Sequence, residues 1–521
     1  MLNFLPFLLV ILPIFGCIFS WRVSKRSEQS GSIVTALICG LVFLLTLLMY
    51  PAINRGEVLG VRITSALPLP LTFRVDKFGF LLGLIATFLW FLASIYAIEY
   101  MKTEHAKTRY HVFSLLSLSS MLGIVFTGDL LTLYIFFELM AFLALLLVIH
   151  EETPEAMKAG FKYLYMSIVG GLSLLLAIFA TYSAAGTVTL TRAGLSALKD
   201  SPYFVLIFWS FIIGFGVKAG MFPVHVWLPD AHPVAPSPAS ALLSGVMIKA
   251  GAYGIIRVVY AVFGPAVLAN LSITRILLAL GVFTMILGSA CAIRQVEIKR
   301  LLAYSSIAQM GYIIVGASTL SYWGLTGAVL HIFNHALMKG TLFLCAGAFI
   351  YKTGLRKIED LRGIGFRMPL TTLCFTLAAC SMIGFPPFAG FLSKWILARG
   401  ALQAASEGIL SAGAGIGIIV ALLVSSLLNA VYYGPIVIRA WFDRSAVHEV
   451  HGPIPVRVTA NDGGEEEIGH AESGQEKKTD DPSWIMLAPL MILAAGTLIF
   501  GLFPGFPLSL AKSIASFYIL R

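Results

Sequence analysis

Uninterrupted apolar runs recur along the whole 521-residue chain, each at or above the length of about eighteen residues that carries a helix across roughly 30 Å of hydrocarbon. No other feature narrows the fold so far. Hydrocarbon offers no water to backbone N–H and C=O groups, so a spanning segment must satisfy them itself, and a run this long does so as a helix. Composition agrees: 58% of residues are hydrophobic and 12% charged, against about 25% charged in ordinary globular domains. The sequence predicts an all-α polytopic membrane protein with about fourteen transmembrane helices. Leu2–Trp21 is expected to be the first span and not a signal peptide, since it lacks a basic n-region and a small-residue cleavage site.

Charge and cysteine usage exclude other classes. The net charge of +10 comes mostly from short loops between spans, where membrane topology explains it better than nucleic acid does. Cys17, Cys39, Cys291, Cys345, Cys374 and Cys380 lie in apolar segments without CxxC spacing, so neither a disulfide framework nor an iron–sulfur cluster is expected on this chain. Asn and Gln are scarce, which leans towards a thermophilic source.

The chain divides into residues 1–109, an N-terminal three-helix segment; 110–260 and 274–442, two five-helix groups; 443–483, a polar loop; and 484–521, a last transmembrane helix and tail. Thr153 and Pro154 read as N-cap and first residue of the sixth helix. The stretch 191–200 reads as a short interfacial helix, and the Gly- and Glu-rich 443–483 as a flexible excursion. Basic residues concentrate in odd-numbered loops, for example Arg22, Lys25, Arg26; Lys102, Lys107, Arg109; and Arg294, Lys299, Arg300. The positive-inside rule then puts odd loops in the cytoplasm of a cell membrane and both termini outside.

Two breaks disclose a repeat. "GFGVKAGMFPVHVW" interrupts the seventh span beside Lys218, and "MIGFPPFAGFLSKWIL" interrupts the twelfth beside Lys394. Each broken helix is the fourth of its group of five. Five is odd, so the two groups must run in opposite senses through the membrane, and paired Gly/Pro-interrupted spans in inverted halves point to an ion pathway.

The intramembrane charges point the same way. Glu138, in "LLTLYIFFELMAFLALLLVIH", lies about nine residues or roughly 13 Å into its span. Lys249 sits at similar depth in the eighth. His331 and His335 are midway along the eleventh, with Lys339 following at the same spacing of four, which sets all three on one helical face. Each buried charge costs about 3 kcal/mol or more at the bilayer centre, so several at one level call for a function. Lys339 and Asp129, placed nearer span ends, read equally well as snorkelling or structural groups. Metal binding by His331 and His335 lacks an acidic third ligand. Lys218 beside a carboxylate is a natural proton switch, because a nearby anion favours the ammonium and low dielectric disfavours it. The expected relay is therefore Glu138, Lys218, Lys249, His331 or His335, and Lys394.

The segments "GDLLTLYIFFELMAF", "VKAGMFPVHVWLPDAHPVAPSPASALLSGVMIKAGAYGIIR", "IKRLLAYSSIAQMGY", "HIFNHALMKGTLFLCAG" and "GFPPFAGFLSKWI" together resemble the antiporter-like subunits of complex I, and most nearly the D subunit of Mrp sodium/proton antiporters and its counterpart in membrane-bound hydrogenases. The resemblance covers about residues 70–445. It implies fourteen helices, two inverted five-helix repeats and broken seventh and twelfth helices. It also implies that Glu138, Lys218, Lys249, His335 and Lys394 occupy the family's glutamate, lysine, lysine, histidine and twelfth-helix positions. Gln309 stands where some relatives have a histidine. The tail after the last span implies no long lateral helix.

The leading functional expectation is an ion-translocating subunit of a larger membrane complex, moving protons and perhaps exchanging them for sodium. Its partners would be other membrane subunits of an Mrp-like module or, in a redox-driven complex, iron–sulfur or nickel–iron subunits. A quinone-reactive oxidoreductase subunit is the second reading and a stand-alone solute transporter the third. No glycine-rich dinucleotide fingerprint or haem motif is visible, so no cofactor or metal is expected on this chain.

Overall fold

A computed structural model describes residues 2–63, 71–190, 195–269, 271–443 and 479–519. Its helices follow the expected order. The N-terminal segment holds α1 (Leu5–Ser24), α2 (Glu28–Leu47) and α3 (Lys77–Tyr100). The first group holds α4 (Lys107–Val125), α5 (Leu130–Val148) and α6 (Pro154–Ala185), then the seventh span in two pieces, α7 (Phe204–Ala219) and α8 (Leu228–Val234), and α9 (Ser237–Phe263). The second group holds α10 (Ser272–Ile293), α11 (Ile298–Ser318) and α12 (Tyr322–Thr353), the twelfth span as α13 (Pro369–Ile383) and α14 (Ala389–Ser406), and α15 (Ala412–Phe442). α16 (Trp484–Leu502) and α17 (Gly505–Ile519) close the chain. Eleven of the described helices are long and apolar enough to cross a membrane by themselves.

Local chemistry sets the boundaries. Asp129 caps α5 by accepting from the Thr132 backbone N–H at 2.7 Å, and Thr153 caps α6 with Pro154 in its first turn. α7 ends at Gly220, whose φ of +69° favours glycine. α13 ends likewise at Gly384, φ +95°. Both breaks then contain an X–Pro peptide in the cis form, Phe222–Pro223 and Pro386–Pro387. α9 and α12 run through the middle of the bundle, their most apolar stretches wholly buried. α1, α6 and α15 instead expose large apolar side chains such as Phe15, Leu172 and Leu427, the pattern of helices that face lipid or neighbouring subunits.

Three features differ from the expectations. The all-α reading omitted a small antiparallel hairpin, β1 (Leu59–Ile63) with β2 (Leu71–Val75), in register Leu59↔Val75. The tail after α16 is a helix, α17, buried along Leu510, Ile514 and Tyr518. Within 191–200 the described part is a 3-10 turn, Ser196–Leu198, and not an interfacial helix; residues 191–194 lie outside the described residues. So does most of the polar excursion, 444–478. Its return is anchored: the Asp481 carboxylate accepts from the backbone N–H groups of Leu370 and Thr371, both at 3.0 Å, capping the start of α13.

Candidate ion-translocation site

The first group gathers Glu138, Tyr163 and Lys218. Lys218 is the penultimate residue of α7, and its Nζ donates to the Tyr163 hydroxyl at 2.7 Å. Tyr163 in turn donates to the Ala141 carbonyl on α5 at 2.9 Å. Glu138 lies one helical turn before Ala141, half-buried, with one carboxylate oxygen buried and without a hydrogen-bond partner. Its charge acts on Lys218, but the direct Glu138–Lys218 bridge is not made. Space for the carboxylate comes from Gly171 of α6, where a Cβ would lie 2.5 Å from Glu138 Oε1. Trp227, just before α8, donates to the Val217 carbonyl at 2.8 Å and so occupies an acceptor at the end of α7 that Lys218 could otherwise seek.

Lys249 lies on α9 two residues after a π-helical stretch, Leu243–Met247, a local widening that recurs at functional sites. Its ammonium donates to the Ser244 carbonyl. α7 and α9 meet closely at Gly251, which faces Ala219 and Phe215, so the two lysines sit on adjoining helices. Lys249 acts electrostatically on His331, His335 and Lys339.

On α12 the rings of His331 and His335 are parallel within 4°, with centroids 5.9 Å apart. His331 Nε2 bonds Gln309 Oε1 at 2.9 Å and its Nδ1 meets Ser393 Oγ at 2.8 Å. His335 has 0% exposure, and neither ring nitrogen has a partner, an arrangement that buried polar groups rarely keep unless water or a transferable proton serves them. Lys394 Nζ donates to the Met382 and Ile383 carbonyls at 2.8 and 3.1 Å and to Ser426 Oγ at 3.0 Å. The two carbonyls are the last of α13, where a helix leaves acceptors free and carries partial negative charge.

The structure thus brings Lys218, Lys249, His331, His335 and Lys394 into the bundle interior, with Glu138 at one end of the row. It moves two residues from where residue counting put them. Lys339 is fully buried in the middle of the 32-residue α12, donating to the Leu302 carbonyl at 2.9 Å, and is no snorkelling end. Asp129 is a cap, binding Thr132 and, at 3.1 Å, the Thr72 backbone N–H of the hairpin. Sequence reasoning missed Tyr163 and Ser393, whose hydroxyls meet Lys218 and His331, and Trp227, whose indole holds the carbonyl beside Lys218. Their only signal was a polar tip on an otherwise apolar stretch.

Fold and interior together define a polytopic membrane protein with several ionisable side chains buried in its core. Residues 127–419 match the family described as NADH:quinone oxidoreductase/Mrp antiporter, and residues 62–111 match the complex I chain 5 N-terminus family. NADH-quinone oxidoreductase subunit N of Desulforudis audaxviator (strain MP104C) is 32% identical over 508 residues, 96% of either chain. Na(+)/H(+) antiporter subunit A1 of Staphylococcus aureus is 28% identical across 95% of this chain, which spans 61% of that longer protein. A chain of the membrane-bound sulfane sulfur reductase, an archaeal respiratory membrane complex, superposes with a TM-score of 0.82 at 25% identity, over 99% of this chain and 97% of its own. The chain belongs to the NADH:quinone oxidoreductase/Mrp antiporter family, as an antiporter-like membrane subunit.

Proposed function

We propose that this chain is the ion-translocating subunit of a multi-subunit membrane complex and that it moves protons along the row from Glu138 to Lys394. The observation that carries this is the interior row itself. Lys218 and Lys394 are 3% and 8% exposed, and Lys249, His331 and His335 at most 1%, yet none of the three lysines has a carboxylate within hydrogen-bonding distance. Buried amines held by hydroxyls and carbonyls, with no carboxylate bonded to them, have no fixed anion to retain a proton that arrives. Approach of Glu138 would favour the charged Lys218; withdrawal would expel its proton towards Lys249. The broken helices place helix ends, and the side chains that cap them, inside the bundle beside the row.

The relative named NADH-quinone oxidoreductase subunit N and the neighbour in a respiratory complex favour a redox-driven partner assembly with iron–sulfur subunits. The Na(+)/H(+) antiporter relative favours exchange against sodium. By the distribution of Lys and Arg, the odd loops face the cytoplasm of the cell membrane and both termini lie outside. The test is transport by the intact complex in liposomes. Glu138→Ala and Lys218→Ala should each abolish proton movement while the complex still assembles with its subunits. Wild-type pumping by either variant would overturn the relay.

A further inference from the structure

α10 and α15 form a fork. Deep along both helices they are pinned together, Ser289 Oγ lying 2.8 Å from Ser425 Oγ. Towards their starts, both on the side of the even-numbered loops, they part around a groove of about 620 Å³. Arg275, in the first turn of α10, and Ser411, the cap of α15, are its two polar lining residues. The rest of the wall is apolar side chain or glycine, with Leu278, Val282 and Phe283 on one side and Gly417 and Ile418 on the other. Arg275 is exposed and makes no ion pair or hydrogen bond among the described residues, and no carboxylate lines the groove. A lone cation at the mouth of an apolar groove selects for a ligand with an anionic head and apolar tails.

Dimensions narrow the choice. From Arg275 to Ile286, the deepest lining residue on α10, the groove follows about 16 Å of helix. That is the depth of one leaflet of a bilayer whose hydrocarbon is roughly 30 Å thick. Spread over that length, the volume leaves a cross-section of about 40 Å², half that of a helix about 10 Å across. The groove is too narrow for a helix of another subunit and suits extended acyl chains. Gly417 keeps the α15 wall open, since a Cβ there would meet nothing within 4 Å. At the mouth the Arg275 guanidinium stands where lipid headgroups lie, and a guanidinium binds a phosphate through two parallel N–H···O bonds. The Ser411 hydroxyl accepts from the Ala414 backbone N–H at 3.2 Å, which leaves its own proton to donate.

We propose that the groove between α10 and α15 is a binding site for an anionic phospholipid, with the phosphate on Arg275 and Ser411 and the acyl chains lying between the two helices. The lipid is a wedge in the open end of the fork. It braces α15, which carries Ser426, an acceptor of Lys394 Nζ at 3.0 Å. The groove floor, Leu278 and Ile418, belongs to the same small apolar core as Tyr312, over whose ring Lys394 Nζ sits at 5.0 Å. A bound lipid therefore supports from behind the packing that holds this lysine. The site itself does not depend on the relay reading above.

The experiment uses the intact complex in mild detergent and two probes, phosphatidylglycerol and phosphatidylcholine, each with a photoreactive group at the end of one acyl chain. Peptide mass spectrometry after illumination should find phosphatidylglycerol on α10 and α15, and phosphatidylcholine there severalfold less. Arg275→Gln removes no contact within the protein. It should lower phosphatidylglycerol labelling about fivefold, the share of one basic residue near a membrane surface, and leave the phosphatidylcholine signal unchanged. Gly417→Phe fills the groove from a position where a side chain meets no neighbour and should abolish labelling by both. Equal labelling by the two lipids, or full phosphatidylglycerol labelling of either variant, overturns the proposal and leaves the groove to ordinary boundary lipid. Absence of label from both helices overturns it too, and means that another subunit covers the groove. The two-lipid comparison on the wild-type complex decides the matter even where a variant fails to assemble.

Discussion

The two helix groups hold the same kind of ammonium by different means, and the contrast assigns them different work. At the first break the free end of α7 is closed by other donors: Trp227 takes the Val217 carbonyl and the Met221 backbone N–H takes that of Gly216. Lys218 is left to a phenol and to the electrostatic reach of Glu138. At the second break the lysine is itself the cap, with Lys394 on the Met382 and Ile383 carbonyls. α11, the second helix of its group as α5 is of the first, carries Gln309, which bonds His331. Releasing Lys218 breaks one hydrogen bond, to a phenol, whereas releasing Lys394 breaks three, two of them to the carbonyls that end α13. On the proposed relay, that contrast makes the first group the switch and the second the fixed station.

The largest effect should come from removing each ammonium. Lys218→Met and Lys394→Met are both expected to stop transport, but their stabilities should part. Without Lys218, Tyr163 still donates to the Ala141 carbonyl and the end of α7 stays capped. Without Lys394, the Ile383 carbonyl loses its donor and the Met382 carbonyl keeps only the Asn429 amide at 3.1 Å. Lys394→Met should therefore be less stable than Lys218→Met by about 1–3 kcal/mol, seen as a lower unfolding temperature of the purified complex. Equal stability would remove the distinction between switch and cap.

A smaller effect should follow from giving the second group the anion it lacks. Gln309→Glu would place a carboxylate at the His331 Nε2 contact of 2.9 Å, where it favours the imidazolium. Every pKa unit so gained is about 1.4 kcal/mol, or tenfold in proton release. Transport is expected to fall about tenfold, with the steeper loss on the exit side of the row. A faster variant would mean that the second group, like the first, works by pairing a lysine or histidine with an anion.

The row was legible in the sequence because charge in hydrocarbon is conspicuous: Glu138, Lys218, Lys249, His331, His335 and Lys394 each stand out against apolar neighbours. The breaks were legible because Gly and Pro cannot continue a helix. What supports the row was not. Tyr163 and Trp227 look like core aromatics until the structure shows what their polar tips touch. Lys339 was misplaced because counting from an assumed span end ignores how far α12 runs. The hairpin escaped because its two strands are five residues each, too short to stand out between apolar spans, and α17 because a 15-residue amphipathic helix after a long span looks like a tail.

The smallest predicted effect probes the switch without touching a charge. Gly171 of α6 leaves the room that the Glu138 carboxylate occupies; a Cβ there would lie 2.5 Å from Oε1 and 2.7 Å from the carboxyl carbon, closer than any real Cβ contact. Glu138 is half-buried and its side chain can turn aside, so Gly171→Ala should fold and assemble. In a helix interior the change even favours stability slightly, since Ala has the higher helix propensity. The carboxylate, however, would be displaced relative to Lys218, and the coupling that its position sets would weaken. Transport should drop severalfold at unchanged complex yield, while the equivalent push on the second group, where no carboxylate waits, has nothing to displace. Full activity in Gly171→Ala would mean that the position of Glu138 is not tightly set, and that Lys218 is governed by Tyr163 alone.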